Sequence, residues 1–111
     1  MKDIREGEVW KVRFPLEEDE YKWLPRPVVV LDIDRFEVFS VKVTKHDPRD
    51  SDKYDTPIVF WEDAKLRCKS TARIRHTKFI SRKQFISKYG DLHPDDFSNI
   101  QKRFKEYINE N

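Results

Sequence analysis

The chain has one cysteine, Cys68, and only two glycines, Gly7 and Gly90, in 111 residues. One cysteine cannot close an internal disulfide, which fits a reducing compartment rather than a disulfide-stapled secreted scaffold. Two isolated glycines cannot form a phosphate-cradling loop, so nucleotide-driven chemistry is not expected. No apolar stretch approaches the length of about 18 residues that a membrane helix needs, and the start "MKDIREGEVW" lacks a signal-peptide pattern. A soluble, cytoplasmic protein is expected. The three histidines, at 46, 76 and 93, and the lone cysteine have no metal-ligand spacing, so neither metal nor other cofactor is expected. Cys68 also lacks the neighbours of a nucleophilic cysteine.

Charge and aromatic rings are plentiful. Charged residues make up 40% of the chain against 37% apolar, yet eight Phe, four Tyr and three Trp argue for a folded, well-solvated domain rather than disorder. The length predicts a single domain over residues 1–111. Charge is segregated. Residues 65–89 carry nine Lys and Arg and no Asp or Glu, so in a chain of net charge +2 the remainder is net acidic. A basic block interleaved with hydroxyls and a histidine is the electrostatic footprint of a nucleic-acid binder.

Periodicity predicts short strands followed by helix. "GEVWKVRF" (7–14) alternates, with Trp10, Val12 and Phe14 on one face. An acidic loop (15–25) precedes an apolar strand near 27–34, whose run Val28–Leu31 reads as buried on both faces. The run Glu17–Glu20 is expected to be a solvated loop, one that would repel phosphate if it closed over a groove. In "FEVFSVKVT" (36–44), Phe39, Val41 and Val43 share one face while Val38, Ser40, Lys42 and Thr44 share the other. A polar loop (45–57) leads to short strands at 58–61 and 71–76. "SRKQFISKYG" (81–90) reads as a short helix capped by Ser81 and stopped by Gly90. A second helix (93–108) has Phe97, Ile100, Phe104 and Ile108 on one face. The fold class is therefore mainly β, or α+β: a small barrel of short antiparallel strands with a C-terminal helix.

The stretch "KWLPRPVVVLDID" (22–34) sets Arg26 between two prolines at the mouth of the buried strand. Pro25 and Pro27 restrict the backbone on both sides, so the guanidinium starts from a fixed root. A group held that way suits an electrostatic role toward phosphate.

The order of "GEVW", an exposed loop, "RPVVVL", a strand ending in "VKVTKHDPR" and a basic strand resembles the MazF/PemK family of toxin ribonucleases over residues 6–108. The resemblance implies an SH3-like barrel, a homodimer, metal-independent cleavage of single-stranded RNA, and neutralisation by a cognate antitoxin protein. It places the family's catalytic residues on Arg26, Thr44 and Arg73. Two departures stand out. The family's E-Q-x-G loop is absent, with Glu20 one position early, and Arg75 stands where many relatives carry an acid. His46, two residues after Thr44, is the first candidate for proton transfer, and His76, at the end of the basic strand, is the second. Glu20, Arg49, Lys69, Ser70, Arg75, His76 and Lys78 are the candidate substrate-binding residues. The competing reading is a non-catalytic toxin on the same fold, resembling the gyrase poisons, or an RNA- or protein-binding module.

Overall fold

The computed structural model describes residues 2–111. Six strands and one helix follow in order: β1 (Glu8–Pro15), β2 (Trp23–Ile33), β3 (Glu37–Thr44), β4 (Asp55–Ile58), β5 (Ser70–Ser81), a three-residue 3-10 turn (Arg82–Gln84), β6 (Phe85–Asp91) and α1 (Pro94–Glu110). The strands form one antiparallel sheet in the order β4-β5-β3-β2-β1-β6. The mainly β class with a C-terminal helix is what the sequence predicts.

The connection between β5 and β6 shapes the sheet. These strands are separated by β3, β2 and β1, a flat-sheet distance of about 19 Å at ~4.8 Å per strand. Four peptide links from Ser81 to Phe85 span at most about 14 Å. The sheet must therefore coil, and one of its faces becomes the inside of a small barrel. Trp10, Val12, Phe14, Val28, Val30, Val38, Ile80 and Phe85 fill that interior. Val9, Val29, Leu31, Val41 and Val43 face the other way, toward Ile100 and the partly buried Phe97, Phe104 and Tyr107 of α1. The unbroken run Val28–Leu31 thus supplies two cores at once, as its lack of alternation predicts.

The "GEVW" motif is a local clasp. Gly7 takes a φ of 83°, a conformation glycine adopts without penalty. Buried Glu8 then accepts from the Trp10 indole N–H and the Arg5 backbone N–H, both at 2.8 Å, and pairs with Lys88 at 2.9 Å.

Several expected elements differ, beginning with the strand expected at 71–76, which runs over Ser70–Ser81. Residues 81–90 do not form a helix: Ser81 ends β5 and caps only the 3-10 turn, and Phe85–Asp91 pair with β1 as an edge strand. Pairing with β1 there outweighs a weak helical period. Gly90 is not a helix stop; an added Cβ would lie 2.8 Å from the Ala64 carbonyl oxygen. The strand expected at 58–61 is displaced to Asp55–Ile58, because the Val59 and Phe60 N–H groups donate to the buried Asp96 carboxylate at 3.0 and 2.8 Å. Finally, Ile108 is exposed and Tyr107 packs in its stead.

Gly90→Ala should cost about 1–3 kcal/mol, since the obstacle is backbone rather than a movable side chain. At this chain length that corresponds to a drop of roughly 4 °C or more in melting temperature. A thermal melt within a degree of wild type would show that the 64–65 turn yields freely.

Candidate functional site

The mouth of the coiled sheet is polar. Along β2, Arg26 alternates with Val28 and Val30, so it continues their inward-facing row. On β3, Lys42 and Thr44 continue the row of Val38 and Ser40, and Lys42 stands opposite Arg73 of β5 in the ladder. An apolar interior therefore grades into a rim of cations. Lys42 and Arg73 are buried, and Arg26 is half-buried.

A bulge in β5 decides which later residues join them. The partner of Val41 is Thr77, but the partner of the next residue, Lys42, is Arg73. The extra residues of β5 disturb simple alternation, and Arg73 and His76, three apart, both reach the same carboxylate. That carboxylate is Glu17, from the loop between β1 and β2. Its Oε2 is bound by Lys42 Nζ and by Arg73 Nη1 at 2.8 Å, while its Oε1 lies 2.8 Å from His76 Nε2. Arg75 turns elsewhere, pairing with Asp52 at 3.0 Å, with its guanidinium 5.1 and 5.5 Å from the Tyr54 and Tyr107 ring centres.

Burial and charge set the ionisation of the cluster. Burial resists ionisation of Glu17, but the Lys42 hydrogen bond and the charges of His76, Lys42 and Arg73 outweigh it and hold its carboxyl below the usual range. Burial pulls the Lys42 ammonium down, with the charges of Arg26 and Arg73 in the same sense, against the pull of Glu17. Burial likewise pulls the His76 imidazole down, opposed by Glu17 and aided by Arg73, Lys42 and Arg49.

The sequence-derived candidates separate into groups. Arg26, Thr44, His46 and Ser70 border a cavity of about 260 Å³ whose other walls include Pro25, Pro27, Val43, Leu66, Cys68 and Tyr89. Thr44 Oγ1 accepts the His46 N–H at 3.4 Å, which leaves the hydroxyl proton of Thr44 to donate. His46 itself is exposed and makes no hydrogen bond or ion pair with the Glu17 cluster. The Ser70 hydroxyl donates to the Cys68 carbonyl at 2.9 Å. Glu20, Lys69 and Lys78 are exposed. Arg49 is committed to Asp55 at 2.9 Å and Asp52 at 3.1 Å, fastening the 45–54 loop. The expectation of a solvated loop at Glu17–Glu20 is corrected at its first residue, because the cations draw Glu17 onto the mouth.

Sequence reading missed Glu17 and Lys42. Lys42 left no distinct signal, because its row with Ser40 and Thr44 reads as the polar face of the strand and only the structure turns that row inward. Glu17 left none, being one of several acids in a loop. Among the described residues, no three His, Cys, Asp or Glu side chains are grouped as metal ligands. Nor is any helix among them long and apolar enough to cross a membrane.

The coiled antiparallel sheet with one C-terminal helix is a fold shared with solved mycobacterial proteins. An endoribonuclease from a mycobacterial species superposes with a TM-score of 0.73 at 10% identity, over 98% of this chain and 94% of that one. An endoribonuclease in complex with its cognate antitoxin, also mycobacterial, gives 0.72 at 9% identity, over 96% of each chain. The Mycobacterium tuberculosis toxin MazF-mt6 gives 0.69 at 15% identity, over 92% of this chain and 96% of that one. No curated protein matches the sequence significantly. The model of the PemK-like, MazF-like toxins of type II toxin–antitoxin systems matches residues 5–108, and the chain belongs to that family.

The ionisation pattern predicts a pH dependence of stability. His76 is held below its ordinary value of 6.5, so the unfolded chain takes up a proton more readily than the folded one as pH falls. Glu17, also held low, loses its contribution at more acid pH. Both act in one direction, and stability should decline on acidification from about pH 7.5. His76→Gln should flatten the limb between about pH 7.5 and 5.5 and retain the lower one. Denaturation midpoints against pH measure this; an unchanged upper limb would remove His76 as its source.

Proposed function

We propose that the chain is a toxin endoribonuclease that cuts single-stranded RNA through the RNA's own 2′-hydroxyl. The observation that carries this reading is the convergence of Lys42, Arg73 and His76 on one carboxylate at the barrel mouth, on the strand face that Arg26 and Thr44 share. Family membership and the mycobacterial endoribonucleases of like fold support it.

In this mechanism the 2′-oxygen attacks phosphorus, the bond from phosphorus to the 5′-oxygen breaks, and a 2′,3′-cyclic phosphate and a 5′-hydroxyl are left. Arg26 and Arg73 clamp the phosphate oxygens and stabilise the extra charge of the phosphorane, a task suited to fixed donors in a partly dry site. Thr44 donates to a non-bridging oxygen. His76, kept neutral by its surroundings, takes the proton from the 2′-hydroxyl. Lys42, whose ammonium burial makes a better acid, returns one to the departing 5′-oxygen. Proton transfer is assigned to His76 rather than His46 because only His76 belongs to the cluster. Exposed Lys69 and Lys78 extend the basic surface along which the strand is held.

The proposed toxin has two partners: a cognate antitoxin protein, as in the mycobacterial complex, and a second copy of the chain. A two-fold pair would lay two basic faces side by side, and light scattering should give a mass near twice 13.6 kDa. A monomer that still cleaves RNA would remove the dimer from the proposal.

The chemistry is tested by single-turnover cleavage of RNA in EDTA with analysis of the ends. Wild type should leave a cyclic phosphate and spare 2′-O-methylated RNA. Arg73→Ala and Arg26→Ala should each slow cleavage about 10²–10³-fold, the usual loss for one such donor. Lysine at either position should recover little, because an ammonium lacks the planar two-pronged contact. His76→Ala should flatten the pH–rate profile near neutrality. Cleavage by both arginine variants at the wild-type rate would place the chemistry elsewhere, and binding of RNA with no cleavage at all would favour the non-catalytic module.

A further inference from the structure

Glu17 fills the anion seat of the cluster, and the seat has more donors than Glu17 satisfies. One carboxylate oxygen is shared by Lys42 and Arg73, and the other faces His76. Among the described residues, Arg73 Nε of this cluster and Arg26 Nε on the adjoining strand are buried without a hydrogen-bond partner. Orphaned buried donors are rare in folded proteins and call for an explanation. A phosphodiester brings a full negative charge and four oxygens, two of them non-bridging, and so can engage donors that a carboxylate leaves idle.

The loop that carries Glu17 is lightly attached. Its own backbone bonds, Leu16 N–H to the Lys22 carbonyl at 2.9 Å and Lys22 N–H to the Asp19 carbonyl at 3.1 Å, close it on itself. Among the described residues, every side-chain hydrogen bond or ion pair joining residues 16–22 to the rest of the chain is made by Glu17. The neighbouring Glu18, Asp19 and Glu20 add negative charge and have no cationic partner among the described residues. A phosphate in the seat and Glu17 in the seat are mutually exclusive, since both need the same donors and repel each other.

We propose that Glu17 is an internal competitor for the substrate phosphate: the 16–22 loop closes the seat in the free protein, and single-stranded RNA displaces the carboxylate as it binds. The inference rests on the ribonuclease reading for the identity of the ligand. The apparent affinity for RNA is then the intrinsic affinity reduced by the fraction of molecules whose loop is open. A loop closed nine-tenths of the time weakens binding about ten-fold.

The test uses a 2′-O-methyl oligoribonucleotide, which keeps the phosphates but lacks the attacking hydroxyl. Its affinity for wild type and for Glu17→Gln is measured by fluorescence anisotropy, and hydrogen exchange of residues 16–22 is followed in wild type with and without it. Glu17→Gln should bind about ten-fold or more tightly. In wild type, exchange at the Leu16 and Lys22 amides should rise on binding, because the turn they close loses the Glu17 tether that steadies it. Equal or weaker binding by a folded Glu17→Gln protein overturns the proposal, as does a loop that becomes more protected in the complex. Should Glu17→Gln fail to fold, the exchange measurement on wild type decides alone. Cleavage of ordinary RNA, assayed in parallel, separates the two readings. Wild-type cleavage with unchanged Glu17→Gln affinity overturns the competitor alone. Tighter binding with no cleavage by either protein overturns the nuclease alone and supports the competitor.

Discussion

Three residues, Arg82–Gln84, carry the chain from the second strand of the sheet to the sixth, and the rest of the molecule follows from that short reach. A flat sheet cannot be bridged by so few peptides. Coiling encloses one face around Trp10, Phe14, Val28 and Phe85 and leaves the other for α1. It also gives the interior a mouth. At that mouth the inward rows of β2, β3 and β5 run out of apolar residues and present Arg26, Lys42 and Arg73.

Gathering cations in a half-dry mouth is costly. Like charges held close repel, and burial strips their water, so an uncompensated cluster would weaken a small fold. Glu17 offsets part of that cost, and Arg26 Nε and Arg73 Nε still have no acceptor among the described residues. The arrangement suits a site that must keep its donors aimed and still release its counter-ion. Replacing buried charges with apolar residues of similar volume is often neutral or stabilising. On the proposed ribonuclease reading the three cations serve the substrate phosphate, and the acidic loop that carries Glu17 belongs to the same site.

Away from the mouth, ion pairs do structural work of another kind. Arg49 and Arg75 converge on Asp52, with Asp55 and the Tyr54 and Tyr107 rings close by, and tie the long 45–54 loop down beside α1. Asp96 performs a similar task from the helix start by taking two backbone N–H groups of the turn after β4. A basic block that looks uniform in composition is thus divided between structural anchors and groups open to a ligand.

The sequence by itself determined the strands with clear alternation or an unbroken apolar run, because side-chain period and burial are local signals. Arg26 between its prolines, Thr44 on the same strand face as Lys42 and the basic character of β5 were legible for the same reason, whereas the inward turn of that face was not. The tertiary structure alone decided three things. Residues 85–91 became a strand because β1 offered backbone partners that no local period reports. His76 joined Arg73, and Arg75 left it, because a bulge set by the β3–β5 register broke the alternation. Glu17, rather than Glu20, entered the site because long-range Coulomb attraction selects by distance in space, and the spacing of acids along a loop does not record that distance.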